Sequence, residues 1–368
     1  MKVGFAKTDI TPSLPCSLGG YELRQEDAGI VHKPLYCRTM AGVEEGIPFA
    51  IVSLDLLGID KRLRDEVCIA AGMAVGILAD RITLIASHTH SAIEGIPDVL
   101  HKGLWTGSAA HIPVSYRRQI VETIIDEIAK ALDCAREVHL RWFRADCPGI
   151  ASNRRNNSDW ADSRLHGLKV FSCDSNELMG GIMHFSCHPT VIGPEAGAVS
   201  PDFPGAMQQA LEGDSGQVFL YANGAAGDIS TRFTRQATSP LEADRIGQLL
   251  VSALDRAEAI DGKPSVSPNY SSSIIPFVFS DRITGSLIQT DLQFATLGGM
   301  TLWFVPGEPF SSVARSLMEH RTNHLIVGYA NDYIGYIPDD QARPIGGYEV
   351  EVSRIGIEDT ARLWECFP

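Results

Sequence analysis

Short apolar, β-branched runs recur along the chain at strand length. Residues 81–86 (RITLIA), 181–188, 217–222, 300–305 and 325–329 each fit a buried strand. Between them the hydrophobic period changes to that of a helix. Ile120, Ile124, Ile128 and Ala131/Leu132 recur at helical spacing after Pro113 and Ser115. Ser239-Pro240-Leu241-Glu242 is a capping box with proline at the first helical position. It opens a helix expected to turn Ile246, Leu249, Leu250 and Leu254 inward. Pro309 is expected to start another helix through Val313 and Leu317. Residues 270–294 read as a strand hairpin or meander turning near Thr284-Gly285. The alternation predicts an α/β fold, a mixed β-sheet flanked by helices. No repeat and no flexible linker divides the chain, so residues 1–368 are read as one domain.

Composition narrows the function classes. The chain has 44% hydrophobic and 21% charged residues, ordinary globular usage that excludes wholesale disorder. Its 31 Lys+Arg against 45 Asp+Glu give a net charge of −14. No basic cluster stands out, which argues against a nucleic-acid partner. The 8 cysteines include no CxxC pair, so they read as reduced, mostly buried thiols. Charge at Lys2, Lys7 and Asp9 breaks the start of the chain too early for a signal peptide. No apolar run reaches transmembrane length. The expectation is a cytoplasmic protein acting on a small molecule.

Chemistry collects where the strands end. Residues 81–86 lead into Ser87-His88-Thr89-His90-Ser91, and residues 181–187 into His188-Pro189-Thr190. Residues 217–222 lead into Asn223 to Ser230, residues 300–305 into Pro306-Gly307-Glu308, and residues 325–329 into Asn331, Tyr333 and Tyr336. Open α/β sheets bind ligands outside the carboxyl ends of their strands. In an extended segment His88 and His90 share a face, which suits a divalent metal, zinc by default. Surface decoration is the plain alternative for this pair. His188 reads equally as a histidine bonded to backbone at a strand end, and His184 as a packed core histidine. Asp228 either orients a histidine or Ser230, or caps a local turn. Arg154 is an anion holder or a solvated loop charge. Glu308 is a metal ligand or the first-turn acid of the next helix.

In order along the chain these segments resemble the catalytic domain of the neutral, non-lysosomal ceramidases. Ser87-His88-Thr89-His90-Ser91 resembles the family's SHTHSG segment, Asn153-Arg154 its NRS segment, and His188-Pro189-Thr190 its H-x-T-S segment. Ser200-Pro201-Asp202 resembles the S-x-D that follows, and Gly227-Asp228-Ile229-Ser230 the GD[VI]SP signature. Pro306-Gly307-Glu308, the segment Gly328 to Ile337 and Tyr348-Glu349 match three later motifs. The resemblance implies one zinc held by His88, His188, Glu308 and Tyr336. It implies that His90, Arg154 and Tyr348 face the scissile carbonyl. Asp228 and Ser230 match a signature that reads either as a nucleophile site or as support beside the metal.

The expected activity is hydrolysis of a linear amide by a zinc-activated water, with His90 as proton shuttle. An esterase or lactonase using the same zinc site is the alternative. A binding protein with a structural metal is the reading from another class. Ser91-Ala92-Ile93-Glu94, Val191-Ile192 and Thr231 depart from the family's wording. The family's C-terminal immunoglobulin-like domain has no counterpart before Pro368. These departures point to a soluble small molecule in place of ceramide. Residues 92–112 form a long segment beside the two histidines, read as a lid, a specificity insert or a packed surface excursion.

Overall fold

The computed structural model describes the chain except residues 22, 23, 25, 94–112, 261–267 and 368. The histidine-flanking segment of residues 92–112 therefore lies outside the described residues, apart from the buried Ala92 and Ile93. A large mixed sheet runs in the order Val218–Asn223, Leu178–Phe185, Arg164–Ser172, Arg136–Asp146, Lys2–Asp9, Tyr36–Glu44, Ile47–Leu54, Ile82–Ala86. The pair at each end is parallel and the pairings between are antiparallel. A second sheet of Tyr270–Ser280, Leu287–Leu297, Met300–Phe304 and His324–Val327 ends in a parallel pair. The expected hairpin over residues 270–294 supplies its first two strands.

Continuous apolar runs form here because the strands are buried on both faces. In Ile47–Leu54, Phe49 and Ile51 join a core between the two sheets with Leu302, Phe304, Leu325 and Val327. The alternate residues Ala50, Val52 and Leu54 join the core under the helices. The helices Lys61–Val75, Val114–Asp133, Asp202–Glu212 and Pro240–Ala253 cover that outer face with Val67, Ile124, Phe203 and Leu250 among others. The second sheet's outer face carries Phe277, Trp303 and Ile326 against the helices Ser311–His320 and Ile357–Glu365. The layers therefore run helix, sheet, sheet, helix, one sheet more than the hydrophobic pattern alone foretold. Each fully buried Ile or Leu contributes about 1.5–3 kcal/mol to this packing. No helix among the described residues is long and apolar enough to cross a membrane.

Two helix details differ from expectation. Ser239 does cap its helix, accepting the Glu242 N–H at 3.2 Å. Leu249, however, is exposed and Leu254 only half-buried. The inward stripe is Ala243, Ile246, Gly247, Leu250 and Ala253, because this helix approaches the Asp202–Glu212 helix closely. A Cβ at Gly247 would lie 2.6 Å from that of Ala206. Pro309 does not begin a helix. It extends the short Glu308–Pro309 strand paired with Tyr336–Ile337, and the helix starts at Ser311.

Candidate metal centre

The parallel strand pairs of both sheets end at one place. The Ala86 N–H donates to the Tyr329 carbonyl at 3.0 Å and the Gly328 N–H to Asn223 at 3.0 Å, so the two sheets are stitched together there. Every loop bearing a candidate residue leaves from this edge.

His88 is not in extended backbone, as its sequence suggested; its φ is +66°, in the left-handed region. The turn lets its N–H reach the Leu56 carbonyl at 3.0 Å while its Nδ1 donates to the Leu57 carbonyl at 2.7 Å. His188 follows the Leu178–Phe185 strand by three residues and is held by a backbone bridge to Ser230. Its Nδ1 donates to the Ala226 carbonyl at 2.6 Å. A proton fixed on Nδ1 leaves the Nε2 lone pair of each ring free. The Glu308 Oε2 atom sits 2.9 Å from His188 Nε2 and 3.6 Å from His88 Nε2. All three residues are buried, and His188 Nε2 has no aligned hydrogen-bond partner.

His90 completes a group with His88 and His188 whose potential ligand atoms lie within 4.8 Å of one another. Its Nε2 is 3.3 Å from that of His88, yet its Nδ1 is buried without a partner. Among the described residues no carbonyl fixes this ring. Its main chain is fixed instead, by Arg24 donating to the His90 carbonyl at 2.9 Å. Gly20, at φ +88°, packs so closely that a Cβ there would lie 2.5 Å from the imidazole. Burial pushes His88 down to about 3 and His90 and His188 well below the usual histidine range. All three rings are neutral at pH 7, the form that ligates metals.

Tyr336 lies opposite Glu308 in the short strand pair, its ring 6.4 Å from that of His188. Burial drives its hydroxyl pKa upward, and Arg154, donating to it from Nη2 at 3.0 Å, pulls the other way. Arg154 also donates to the Gly227 carbonyl at 2.8 Å and pairs through Nε with Glu349 at 2.9 Å. Tyr348 is 42% exposed and meets the Tyr336 ring edge-on at 6.0 Å.

Sequence reasoning did not assign the partners of Glu308. The hydroxyls of Tyr329 and Tyr333 both donate to its carboxylate, Tyr329 at 3.4 Å. His88 stacks on Tyr329 with centroids 4.1 Å apart. The only signal for them is the tyrosine spacing ahead of Tyr336. His184 is the core histidine expected, its Nε2 2.7 Å from the Ile326 carbonyl.

Asp228 and Ser230 stand outside the histidine group and serve the loops. Asp228 accepts from Asn153 at 2.7 Å, from the Ser311 N–H at 2.7 Å and from the Ser311 hydroxyl at 2.9 Å. It caps the Ser311–His320 helix from another loop, although burial raises its pKa to about 6. Ser230 Oγ accepts the Arg232 N–H at 3.1 Å, and no bond joins it to a histidine ring. Replacing Asp228 with alanine leaves the Asn153 amide and the Ser311 N–H without their acceptor, an expected cost of about 2–4 kcal/mol. A urea titration of the variant checks this; an unchanged midpoint contradicts the capping role.

A buried Nε2 pair and a carboxylate, each anchored from behind, form a donor set suited to zinc. No protein-family model and no curated protein matches this sequence. Among solved structures, the neutral ceramidase from Pseudomonas aeruginosa aligns with all of this chain and 73% of its own, at TM-score 0.82 and 19% identity. A ceramidase complexed with C2 aligns at TM-score 0.83 and 18% identity, covering 99% of this chain and 73% of the other. At such identity the likeness is one of architecture: the chain has the neutral ceramidase fold.

Proposed function

We propose that the chain is a zinc-dependent hydrolase of N-acyl amides, with a soluble small molecule as substrate and His88, His188, Glu308 and Tyr336 holding the metal. One observation carries the reading. Two histidines have Nδ1 committed to backbone carbonyls and turn their buried Nε2 atoms onto one glutamate, with no hydrogen bond closing the gap at His188. Lone pairs so crowded repel unless a cation lies among them. The neutral ceramidase fold supports amide hydrolysis as the chemistry.

Zinc at such a site lowers the pKa of a water to about 7 and polarises a carbonyl. The residues do the rest. Tyr329 and Tyr333 hold Glu308 in place. His90, neutral and unanchored at Nδ1, takes a proton and passes it to the leaving amine. Arg154 and Tyr348, beside Tyr336, offer donors to the developing oxyanion, each such donor supplying about 3 kcal/mol. Asp228 and Ser230 position the loops that carry Arg154 and His188, through Asn153 and the His188–Ser230 bridge.

Elemental analysis of purified protein, with matched amide and ester substrates assayed before and after chelation, tests this. One zinc per chain and chelation-sensitive amide cleavage are expected. Cleavage of the ester alone makes the site an esterase or lactonase. Stoichiometric metal without cleavage makes it structural, and no metal overturns the proposal.

A further inference from the structure

A cavity of about 750 Å³ is lined in part by Arg154, and by neither Glu308 nor any of the three histidines. Its lining includes Arg154 and Tyr348, both of which touch Tyr336. The volume suits a small molecule. Its lining carries four arginines and four acids beside Trp160, Phe310 and Ile345, where a pocket for long alkyl chains would be apolar throughout.

The acids and bases of the lining are used differently. Glu349 gives one oxygen to Arg154 and the other to Arg155, at 2.9 and 3.1 Å. Both oxygens of Asp228 are taken by Asn153 and Ser311. Those of Asp339 are taken by Ser312 and the Ala342 N–H. Only the exposed Asp159 keeps an oxygen free, its other accepting from Asn156 at 3.0 Å. Guanidinium donors, by contrast, are left over. Arg154 hydrogen-bonds through Nη2 and pairs by charge from Nε, leaving Nη1; Arg155 uses its two Nη atoms and leaves Nε. Arg315 bonds Glu319 through Nε alone and lies over the Trp160 ring at 6.0 Å. The Arg232 guanidinium has no acidic partner among the described residues and rests on Phe233 at 5.5 Å.

Four guanidinium groups with spare N–H donors, among acids whose oxygens, except one of Asp159, already accept protein hydrogen bonds or pair with arginine, match an oxygen-rich anion. We infer that this cavity binds an anionic group of the substrate, a carboxylate or a phosphate, while the amide lies toward Tyr336. The substrate class is then an N-acylated amine bearing an anion, such as an N-acyl amino acid. The inference rests on the hydrolase reading for its substrate and on the cavity alone for its anion. Arg232 and Arg315 are the selecting residues. Both are exposed, so their loss leaves the core intact.

Two measurements test it. In the first, zinc-loaded protein is assayed on N-acetyl amino acids and on the same compounds as carboxamides. The carboxylates are expected to show kcat/KM higher by about tenfold or more. The Arg232→Ala/Arg315→Ala double variant is expected to lose that preference while still cleaving the carboxamides. In the second, calorimetry follows succinate, inorganic phosphate and uncharged succinamide binding, with no reaction required. Succinate or phosphate binding that weakens with salt and vanishes in the double variant supports the inference, the tighter of the two naming the anion. Anion binding without hydrolysis of any amide overturns the hydrolase reading and leaves the anion site standing. Equal cleavage of carboxylates and carboxamides, with no anion heat, overturns the anion site and leaves the hydrolase standing. Anion heat that survives in the double variant overturns the role given to Arg232 and Arg315.

Discussion

Replacing His188 with alanine is expected to strip the metal from the chain and to lower amide hydrolysis on the order of a thousandfold or more. That is the rate equivalent of the several kcal/mol a bound metal supplies in such reactions. The size follows from the geometry. His188 is fully buried, and its Nε2 lies closer to Glu308 than that of His88, at 2.9 against 3.6 Å. The Ala226 carbonyl and the bridge to Ser230 fix the ring from one side only. Its removal leaves the Glu308 carboxylate buried beside His88 with one nitrogen fewer. Elemental analysis reads the loss directly. Thermal unfolding with and without chelator reads it a second way, because a metal that binds only the folded state stabilises it. The wild-type midpoint should fall on chelation and that of the variant should not move. Full zinc occupancy in the variant would remove His188 from the ligand set.

Replacing His90 with glutamine is expected to do the opposite: zinc stays, and kcat falls about a hundredfold or more. The two histidines differ in what stands behind the ring. His88 and His188 each have Nδ1 on a carbonyl, the orientation that fixes a ligating imidazole, whereas His90 Nδ1 has none. A proton carrier needs the freedom a ligand lacks. Burial first, then the neighbouring His88 and His188, push His90 well below 6.5. Its neutral, proton-accepting form therefore prevails at pH 7. Two acid limbs are expected in the wild-type rate, one near pH 7 from the metal-activated water and one below 6.5 from His90, and the variant should lose the lower one alone. Loss of zinc in the variant would make His90 a third histidine ligand and end its assignment as proton carrier.

The strands were legible because buried β-structure writes itself as short apolar runs, and residues 81–86 or 217–222 admit few other readings. The edge where chemistry collects followed from what stands after each run. The stacking of a second sheet was not legible. Met300, Leu302 and Phe304 face one core and Trp303 the other, so the run looks the same whether helices or a sheet cover it. The turn at His88 was hidden for a related reason: local sequence favours extended backbone there, and the long-range bonds to Leu56 and Leu57 override it. The loop duties of Asp228 depend on Ser311, 83 residues away, which spacing cannot reveal. Leu249 misled because the inward face of its helix is chosen by the small residues Ala243, Gly247 and Ala253.

The anchoring of His88 and His188 by carbonyls of Leu57 and Ala226 carries a further consequence. Both contacts belong to the main chain and owe nothing to an ion. The cage is thus standing before its occupant arrives, unlike a zinc finger, whose ligands gather only on loading. Chelation should empty such a cage without unravelling it, so inactivation by metal depletion is reversible by simple resupply.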